Sequence, residues 1–318
     1  MEPEIATPTR AGSHGATVKP FFSVVIPTYN RAHELRRAIQ SVLEQSFSDF
    51  EILVMDDGST DNTCEVVARF NDDRITYEWD QNFGGPARPR NRGIAKAQGQ
   101  WICFLDADDW WAPSKLRTCL QHISEAVDLL YHDLEIVRDR RPFIRRKKIK
   151  SSHVKQPVFM DLLMNGNAIG NSSVVVRRNL LEQIGGIDEN VEMIACEDYN
   201  AWLRIAQVTE AFLYIPKSLG YYAVHENGIS QKDMSSALRC AIAGFSSVLN
   251  QRQKCKLESK LRYLTGRFAY VSGDFDIAKE NLSFALRHGE FKIAVKSILM
   301  LLVLTMTRHG RPWRRKNG

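Results

Sequence analysis

The sequence predicts an α/β protein with a doubly wound, mainly parallel sheet, helices on both faces of that sheet and an all-helical C-terminal extension. Three observations support this prediction. Short apolar segments alternate with amphipathic segments from Phe22 onward, acidic residues follow two of the apolar segments, and the chain after residue 235 carries helical patterns only. Strands that alternate with helices at this spacing are typical of parallel sheets, because each helix returns the chain to the same edge.

The first strand is predicted at 22–26, where the uninterrupted apolar run FSVVI is typical of a strand buried on both faces, and Pro27 closes it. Asn30 is predicted to open the next helix, because asparagine favours helix N-caps. The apolar residues of that helix recur at the spacing of one helical face: Leu35, Ala38, Ile39, Val42 and Leu43. This stripe should face the sheet.

Three further strands are predicted at 50–55, 74–79 and 101–105. The strand at 50–55 runs into Asp56-Asp57-Gly58, and the strand at 101–105 runs into the acidic run Asp106 to Asp109. The strand at 74–79 leads to a glycine-containing loop at 82–86, which is followed by a helix that stops at Gly99. Ligands of such sheets bind outside the carboxyl ends of the strands. We therefore expect the two acidic groups to share one cleft.

Asp106-Ala107-Asp108 is a candidate metal site. Side chains alternate along a strand, so the two carboxylates should lie on one side, and carboxylate oxygens suit Mg²⁺ or Mn²⁺. Taken alone, the triplet is equally compatible with a solvated acidic turn.

Composition limits the class of protein. The chain has 318 residues, 44% of them hydrophobic and 25% charged, which excludes general disorder and collagen-like or coiled-coil architecture. The net charge of +6 is concentrated in a basic run at 138–150 and a basic tail at 308–318. The six cysteines form no C-x-x-C pair, which favours a reduced, cytoplasmic compartment.

The length predicts about two domains. Residues 1–20 lack an apolar run and are predicted to be a mobile leader, 21–235 to be the α/β domain and 236–318 to be a helical extension with a basic tail. In the later part of the α/β domain we predict a strand at 173–177, a helix over 179–184 and a further helix that begins near Glu197.

Several motifs occur together in one order. They are FSVVIPTYN, EILVMDDGSTDNT, NFGGPARPRNRGIAKAQGQWICFLDADDWW, NAIGNSSVVVRRNLLEQIGGIDE and CEDYNAWLRIA. Over about two thirds of the chain, to Ser230, the sequence resembles the family 2 glycosyltransferases, which have the GT-A fold. The resemblance implies an inverting enzyme that moves a sugar from a nucleotide diphosphate, with UDP favoured, to a hydroxyl of a glycan or lipid-linked acceptor in cell-surface polysaccharide or glycolipid synthesis.

The resemblance also implies the site residues. Asp198 would be the catalytic base, in the acidic pair with Glu197, at a helix start where the dipole favours a carboxylate. Asp108, Asp106 and His225 would hold Mn²⁺ or Mg²⁺. The nucleotide sugar would be bound by Pro27, Thr28, Tyr29, Asp57, Arg90 and Asp106. Because Pro89 precedes Arg90, we expect that helix to begin late.

The C-terminal extension carries two further patterns. Residues 266–289 resemble one tetratricopeptide-type helical hairpin. The uncharged run 297–307 is too short to span a bilayer, and the basic tail after it favours a helix that lies on an anionic membrane surface. The alternative is a helix that packs on the preceding hairpin. The basic run 138–150 suits an anionic acceptor or a membrane surface, and equally a solvated loop.

Other functions remain open at this stage. The main alternative is a non-catalytic protein on the same fold that binds a nucleotide or a polyanion. The presence of Asp57, Asp108 and Asp198 together argues against this alternative, because a degenerate site need not keep all three. A nucleotidyltransferase would carry a glycine-rich basic loop after the first strand, where Pro27 to Asn30 stand instead. No G-x-G-x-x-G follows a predicted strand, which disfavours a dinucleotide-dependent dehydrogenase. We expect no nucleic-acid partner, and the sequence determines neither the sugar nor the acceptor.

Overall fold

The structure, a computed structural model, describes residues 19–138, 148–149, 151–224 and 233–309. Nearly all of the predicted leader 1–20, most of the basic run 138–150, the end of the basic tail and His225 lie outside the described residues.

The N-terminal half of the sheet is parallel, as predicted. It consists of β1 (Phe22–Thr28), β2 (Phe50–Asp56), β3 (Ile75–Trp79) and β4 (Trp101–Phe104), in the order β3-β2-β1-β4. The connections run through α1 (Ala32–Leu43), α2 (Thr63–Ala68) and α3 (Ala87–Lys96). All four strands therefore end at the same edge of the sheet.

The other half of the sheet is mixed. Its strands are β5 (Trp110–Trp111), β6 (Leu129–Arg138), β7 (Lys148–Ile149), β8 (Val175–Arg177) and β9 (Phe212–Val224). β8 lies antiparallel between β4 and β6, whereas β6 and β9 pair in parallel over ten positions, so the sheet remains mainly parallel. β9 is absent from the sequence-based prediction, because Pro216, Lys217 and Gly220 interrupt its apolar pattern. The helices here are α4 (Lys115–His122), α5 (Val158–Asn165), α6 (Arg178–Gln183) and α7 (Glu197–Ala206).

Helices cover both faces of the sheet, which confirms the predicted doubly wound architecture. The buried stripe of α1, predicted from its spacing, packs with Val24, Ile52 and Trp101 on one face. On the other face, Ile94 of α3 and Trp202 of α7 share a core with side chains such as Val25 and Ile102. Alternate residues of each strand thus enter opposite cores.

Three local expectations are wrong. Pro27 does not close the first strand, because it pairs within β1 with Met55 of β2. Asn30 does not cap α1: its φ is 48°, and its Oδ1 accepts the N–H groups of Thr60 and Asp61 instead. The helix with Arg90 does not begin late, because α3 starts at Ala87 and Pro89 fits in its first turn, where no intrahelical N–H bond is lost.

The C-terminal region is helical, as predicted. It contains α8 (Ser235–Ala243), α9 (Gln251–Ser272), α10 (Phe275–His288) and α11 (Phe291–His309). α8 and the start of α9 pack into the core of the α/β sheet, so packing is continuous across residue 235 and the division there stays a prediction. α9 and α10 form a hairpin in which a Cβ on Gly266 would lie 2.9 Å from Leu282 Cγ. Its resemblance to a tetratricopeptide unit also stays a prediction.

Two general features follow from the described residues. Within residues 19–138, 148–149, 151–224 and 233–309, no helix has both the length and the apolar character that crossing a bilayer requires. The six cysteines all lie in these ranges, and none of them forms a disulfide.

Candidate active site

A cleft of about 550 Å³ opens at the carboxyl ends of β1, β2 and β4. Both predicted acidic groups contribute to it, through Asp57 on one side and Asp106 and Asp108 on the other. The structure brings nine of the ten predicted site residues to this cleft: Pro27, Thr28, Tyr29, Asp57, Arg90, Asp106, Asp108, Glu197 and Asp198. The tenth, His225, lies outside the described residues.

The acidic pair after β2 divides into a structural and a cleft residue. Asp56 is fully buried and accepts hydrogen bonds from Ser59 N–H and the Tyr77 hydroxyl. Asp57 lines the cleft, and its two carboxylate oxygens accept the N–H groups of Phe83 and Gly84 at 3.1 Å each. Each of these oxygens keeps a further lone pair for another donor.

A buried arginine connects the two acidic walls of the cleft. Arg90 is 3% exposed, and its guanidinium donates to Glu197 Oε1 at 2.6 Å and to Asp106 Oδ1 at 2.7 Å. The charges of these carboxylates raise the pKa of Arg90 against the opposing effect of burial. Arg90 therefore links the start of α7 to the turn after β4. This structural link is separate from the nucleotide binding that the resemblance implies for Arg90.

Asp198 differs from Glu197 in its surroundings. Glu197 is buried and bound to Arg90, whereas Asp198 is half-buried at the cleft wall, where its Oδ1 accepts the N–H of Tyr199 at 2.6 Å. Loss of water around the carboxyl, together with the nearby charge of Glu197, raises the pKa of Asp198 from 3.8 to about 7, although the charge of Arg90 acts in the lowering direction. A carboxyl with this pKa exchanges a proton near neutral pH.

The turn after β4 is held at several points. Asp106 Oδ1 accepts from Asn171 Nδ2 at 2.9 Å as well as from Arg90. The backbone carbonyl of Asp108 accepts from Arg37 Nη2 at 2.9 Å, and the Arg37 guanidinium lies 3.6 Å from the centre of the Trp110 ring. The carboxylates of Asp106 and Asp108 thus occupy a turn whose backbone is already fixed.

The sequence-based prediction named neither Asn171 nor Ser172 as a site residue, and it expected Asp109 in the cleft with the rest of its acidic run, whereas Asp109 is buried. Asn171 contacts Asp106, and Asp109 and Ser172 are bonded to each other behind the turn at 2.6 Å. Asn171 and Ser172 belong to the quoted motif NAIGNSS, so their position in that motif was the available signal. Nothing in the local pattern indicates that this segment, 65 residues after Asp106, returns to the same turn.

Several cleft residues carry buried polar atoms without a partner in the described structure. These atoms are Thr28 Oγ1, Arg90 Nε, Asn171 Oδ1 and Glu197 Oε2. Buried polar atoms normally find a hydrogen-bond partner, so a concentration of unpaired ones is typical of a site that binds a polar ligand.

The cleft offers carboxylate oxygens that could bind a divalent cation. Among the described residues, no three His, Cys, Asp or Glu side chains are grouped so that they could surround a metal ion. Asp106 and Asp108 provide carboxylates at the cleft, and Mg²⁺ in particular binds through one or two carboxylates together with phosphate oxygens and water. The residues present therefore fit a cation that is held jointly with a phosphate ligand.

The family assignment rests on a comparison with known protein families. The model for glycosyl transferase family 2 matches residues 23–185, which is just over half of the 318-residue chain. The chain belongs to glycosyl transferase family 2. In this family 2 glycosyltransferase, the matched residues include all of β1 after Phe22, the DDG turn, α3 and the Asp106 to Asp109 turn. Glu197 and Asp198 lie beyond the matched residues.

Two curated relatives support the assignment. An uncharacterised glycosyltransferase of Nostoc sp. is 36% identical over 176 residues, which cover 52% of this chain and 53% of the relative, so the match spans about half of that protein. The UDP-Glc:α-D-GlcNAc-diphosphoundecaprenol β-1,3-glucosyltransferase WfgD of Escherichia coli is 31% identical over 184 residues, 58% of this chain and 68% of WfgD.

The fold is also found in solved structures. The mannosyltransferase PcManGT of Pyrobaculum calidifontis, in complex with GDP-Man and Mn²⁺, superposes with a TM-score of 0.58 over 92% of this family 2 chain and 82% of its own, at 19% identity. At this identity the similarity concerns the fold alone. Together with the family match, it confirms the GT-A architecture.

Proposed function

We propose that this glycosyltransferase is an inverting, metal-dependent enzyme that moves a sugar from a nucleotide diphosphate sugar, with UDP favoured, to a hydroxyl of a glycan or lipid-linked acceptor. The observation that carries the proposal is the arrangement of the acidic pair. Glu197 is occupied by Arg90, whereas Asp198 faces the cleft with a pKa near 7, opposite the Asp106 to Asp108 turn.

The proposed chemical step is a single displacement. The acceptor oxygen forms a bond to the anomeric carbon while the bond from that carbon to the diphosphate oxygen breaks. The acceptor proton passes to the Asp198 carboxylate, and the nucleoside diphosphate leaves with the electron pair of the broken bond. Since the attacking and leaving oxygens lie on opposite sides of the carbon, the configuration inverts.

Asp198 is better suited to this step than its neighbour. A general base works best when its pKa lies near the working pH, because it is then deprotonated and still basic. Glu197 instead orders the site by binding Arg90, which in turn holds Asp106.

Asp108 and Asp106 are proposed to hold Mn²⁺ or Mg²⁺, with His225 as a third ligand. The cation, when bound, neutralises the charge that develops on the leaving diphosphate. In this chain the Arg90 and Asn171 contacts aim Asp106 toward the cleft, and its side chain keeps 29% exposure there.

The nucleoside is proposed to lie at the β1 and β2 ends of the cleft. Tyr29 is 48% exposed and offers a ring face beside Pro27 and Thr28, and the free lone pairs of the Asp57 carboxylate suit the N–H of a pyrimidine imide. The relative WfgD takes UDP-Glc by its name, which supports UDP as the nucleotide.

The acceptor class is proposed from the relatives and from charge. WfgD is named for an acceptor linked to diphosphoundecaprenol, which is an anionic lipid. An enzyme of cell-surface polysaccharide or glycolipid synthesis would meet such acceptors at the cytoplasmic face of the membrane, and the unpaired cysteines agree with a reducing compartment.

Helix α11 is proposed to attach the enzyme to that membrane surface. Phe291, Ile298, Leu299 and Leu302 are 83%, 41%, 59% and 51% exposed, at the spacing of one helical face. Lys292 and Lys296 are also exposed on this helix, and the basic tail follows it in sequence. An apolar face with adjacent cations is typical of helices that lie in an anionic interface.

Replacement of Asp198 tests the proposed function. We expect Asp198→Asn to lower turnover of UDP-, GDP- or dTDP-sugars with Mn²⁺ by about a hundredfold or more, because general-base catalysis is worth about 10²–10⁴-fold. The dissociation constant of the donor, measured by calorimetry, should change little, since proton transfer occurs only as the new bond forms. Glu65→Gln is the control, because it neutralises an exposed carboxylate in the first turn of α2, away from the cleft.

Two results would contradict the proposal. If Asp198→Asn turns over donor at the wild-type rate, Asp198 is only a helix-start carboxylate. If the wild type neither transfers nor hydrolyses any of these sugars but still binds nucleotide, the result supports the alternative function of a non-catalytic binding protein.

A further inference from the structure

The turn that carries Asp106 and Asp108 is supported from behind by a buried hydrogen-bonded pair. Ser172 is 2% exposed and Asp109 is 1% exposed, and neither lines the cleft. The Ser172 hydroxyl donates to Asp109 Oδ2 at 2.6 Å and accepts the backbone N–H of Asp106 at 3.1 Å. One hydroxyl therefore joins both ends of the turn.

The backbone of Ser172 is itself fixed by two buried side chains. Its carbonyl oxygen accepts from Trp111 Nε1 at 2.8 Å and from Lys115 Nζ at 3.5 Å. The Lys115 ammonium lies 3.3 Å from the centre of the Trp111 ring, so the two donors also hold each other. The Ser172 hydroxyl thus reaches the turn from a fixed position.

Asp109 extends the connection to the opposite wall. Its Oδ1 accepts the backbone N–H of Ala223 at 2.9 Å, and Ala223 lines the cleft near the end of β9. The Asp109 carboxylate therefore ties together the turn, the short 3-10 helix at 171–173 and β9. A small displacement of any of these would be transmitted to the carboxylates in the cleft.

We propose that Ser172 and Asp109 form a positioning pair that holds the Asp106-Ala107-Asp108 turn in the geometry needed to bind a divalent cation together with a nucleotide diphosphate. The proposal rests on the proposed function, because it presupposes that Asp108 and Asp106 bind the cation. Neither member of the pair contacts substrate. They act through the backbone of the turn, where displacements of about an ångström are enough to impair a site.

A pair of serine variants tests the proposal. Ser173 is the matched control for Ser172, because it lies on the same 3-10 helix, is fully buried, and gives its hydroxyl to Gly170 O at 2.7 Å without contact to the turn. Both variants to alanine remove a buried hydroxyl, so both should lower the melting temperature: Ser172→Ala loses the bonds with Asp109 and Asp106, and Ser173→Ala loses the bond to Gly170. Only Ser172→Ala should disturb the turn.

Calorimetry first identifies which of UDP, GDP and dTDP the wild type binds most tightly. The affinity of each variant for that diphosphate is then measured with and without Mn²⁺. We expect Ser172→Ala to weaken the Mn²⁺-dependent affinity on the order of tenfold, the size of effect expected when a buried hydrogen bond is lost. Ser173→Ala should retain wild-type affinity, and Asp108→Asn should lose the Mn²⁺ dependence. Ser172→Ala should cost less affinity when added to Asp109→Ala than in the wild type, because the bond between the two side chains is already lost and only the contact with the Asp106 N–H remains to be removed.

The outcomes are distinguishable. If Ser172→Ala binds like Ser173→Ala, or loses affinity equally with and without Mn²⁺, the positioning proposal is overturned while the proposed function stands. If the wild type shows no Mn²⁺-dependent affinity for any of the three diphosphates, the metal site fails first, and both proposals fall with it. If Asp109→Ala does not fold, the two serine variants still decide the question.

Discussion

At the residue scale, Asp198 stands out because its environment opposes its own charge. Its side chain is half-buried and lies next to Glu197, and both the loss of water and the charge of Glu197 raise its pKa to about 7. Arg90 offsets this only in part, because its guanidinium is bonded to Glu197 and Asp106. The same arrangement that suits a general base therefore makes the ionised residue unfavourable for the folded state.

We predict a pH dependence for the enzyme that follows from Asp198. Only the deprotonated carboxylate accepts a proton, so donor turnover should rise with pH and level off above about 7. The rate should be measured from pH 5 to pH 9 with saturating donor and Mn²⁺. In Asp198→Asn this rise of the rate with pH should be absent. If the variant still shows the rise, a group other than Asp198 causes it.

A second measurement needs no substrate. The pKa of Asp198 is higher in the folded chain, so the folded state binds the extra proton between about pH 4 and pH 7 and loses stability from this group as the pH rises through that window. The asparagine side chain does not titrate. The stability of Asp198→Asn relative to the wild type, from urea unfolding, should therefore increase between pH 4 and pH 8, and a constant difference would contradict the assigned pKa.

At the element scale, the loop after β2 depends on a close approach to the loop after β3. Gly58 has a φ of 86°, and a Cβ at this position would lie 2.6 Å from the backbone N of Asn82. Asn82 donates to the carbonyl of Asp57 at 2.8 Å, and the next two N–H groups bind the Asp57 carboxylate. The two loops therefore fix the cleft-facing carboxylate jointly.

We predict that Gly58→Ala damages both stability and nucleotide binding. Gly166→Ala is the matched control, because Gly166 has a φ of 93° but nothing within 4 Å of an added Cβ. Both variants carry the cost of a left-handed backbone, about 1–3 kcal/mol. Gly58→Ala should lose about 1–3 kcal/mol more through the clash, and should bind UDP more weakly in calorimetry. Equal losses in the two variants would show that the loops do not depend on this contact.

At the scale of the whole molecule, the helical C-terminal region joins the α/β core at one end and exposes an apolar helix at the other. Leu261 of α9 is buried in the main core, whereas Leu304 of α11 shares a separate cluster with Ala278 and Leu282 of the α9–α10 hairpin. The exposed face of α11 is therefore separated from the cleft-forming strands by a layer of helices. This arrangement suits a surface that attaches the enzyme without covering its active site.

We predict that α11 binds anionic vesicles. The intact chain should sediment with phosphatidylglycerol-containing vesicles at low salt, and salt should weaken the binding by screening the cations. Leu299→Glu with Leu302→Glu should abolish sedimentation, because two charges enter the apolar face. The double control Val208→Glu with Val248→Glu places the same charges at residues that are 42% and 53% exposed elsewhere. The membrane proposal fails if the intact chain stays in the supernatant or if both pairs behave alike.

The sequence by itself determined the features that depend on local patterns. Apolar runs and their spacing predicted the parallel strands and the buried stripe of α1, and acidic residues at strand ends predicted a shared cleft. Motifs in a fixed order predicted the family and its fold. These features were accessible because side-chain periodicity and strand ends are properties of short segments.

Only the tertiary structure decided which residues meet across the chain. Arg90 and Glu197 are 107 positions apart, yet they form a buried ion pair that gives Glu197 surroundings different from those of Asp198. Ser172 and Asp109 meet behind the Asp106 to Asp108 turn although they are 63 positions apart. Such contacts result from the packing of distant strands and helices, and burial then sets charge and hydrogen bonding at each atom. Neither the partner nor the burial of a side chain is encoded within its own segment. The sequence therefore indicated Arg90 and Glu197 but not their contact, and it gave no role to Ser172.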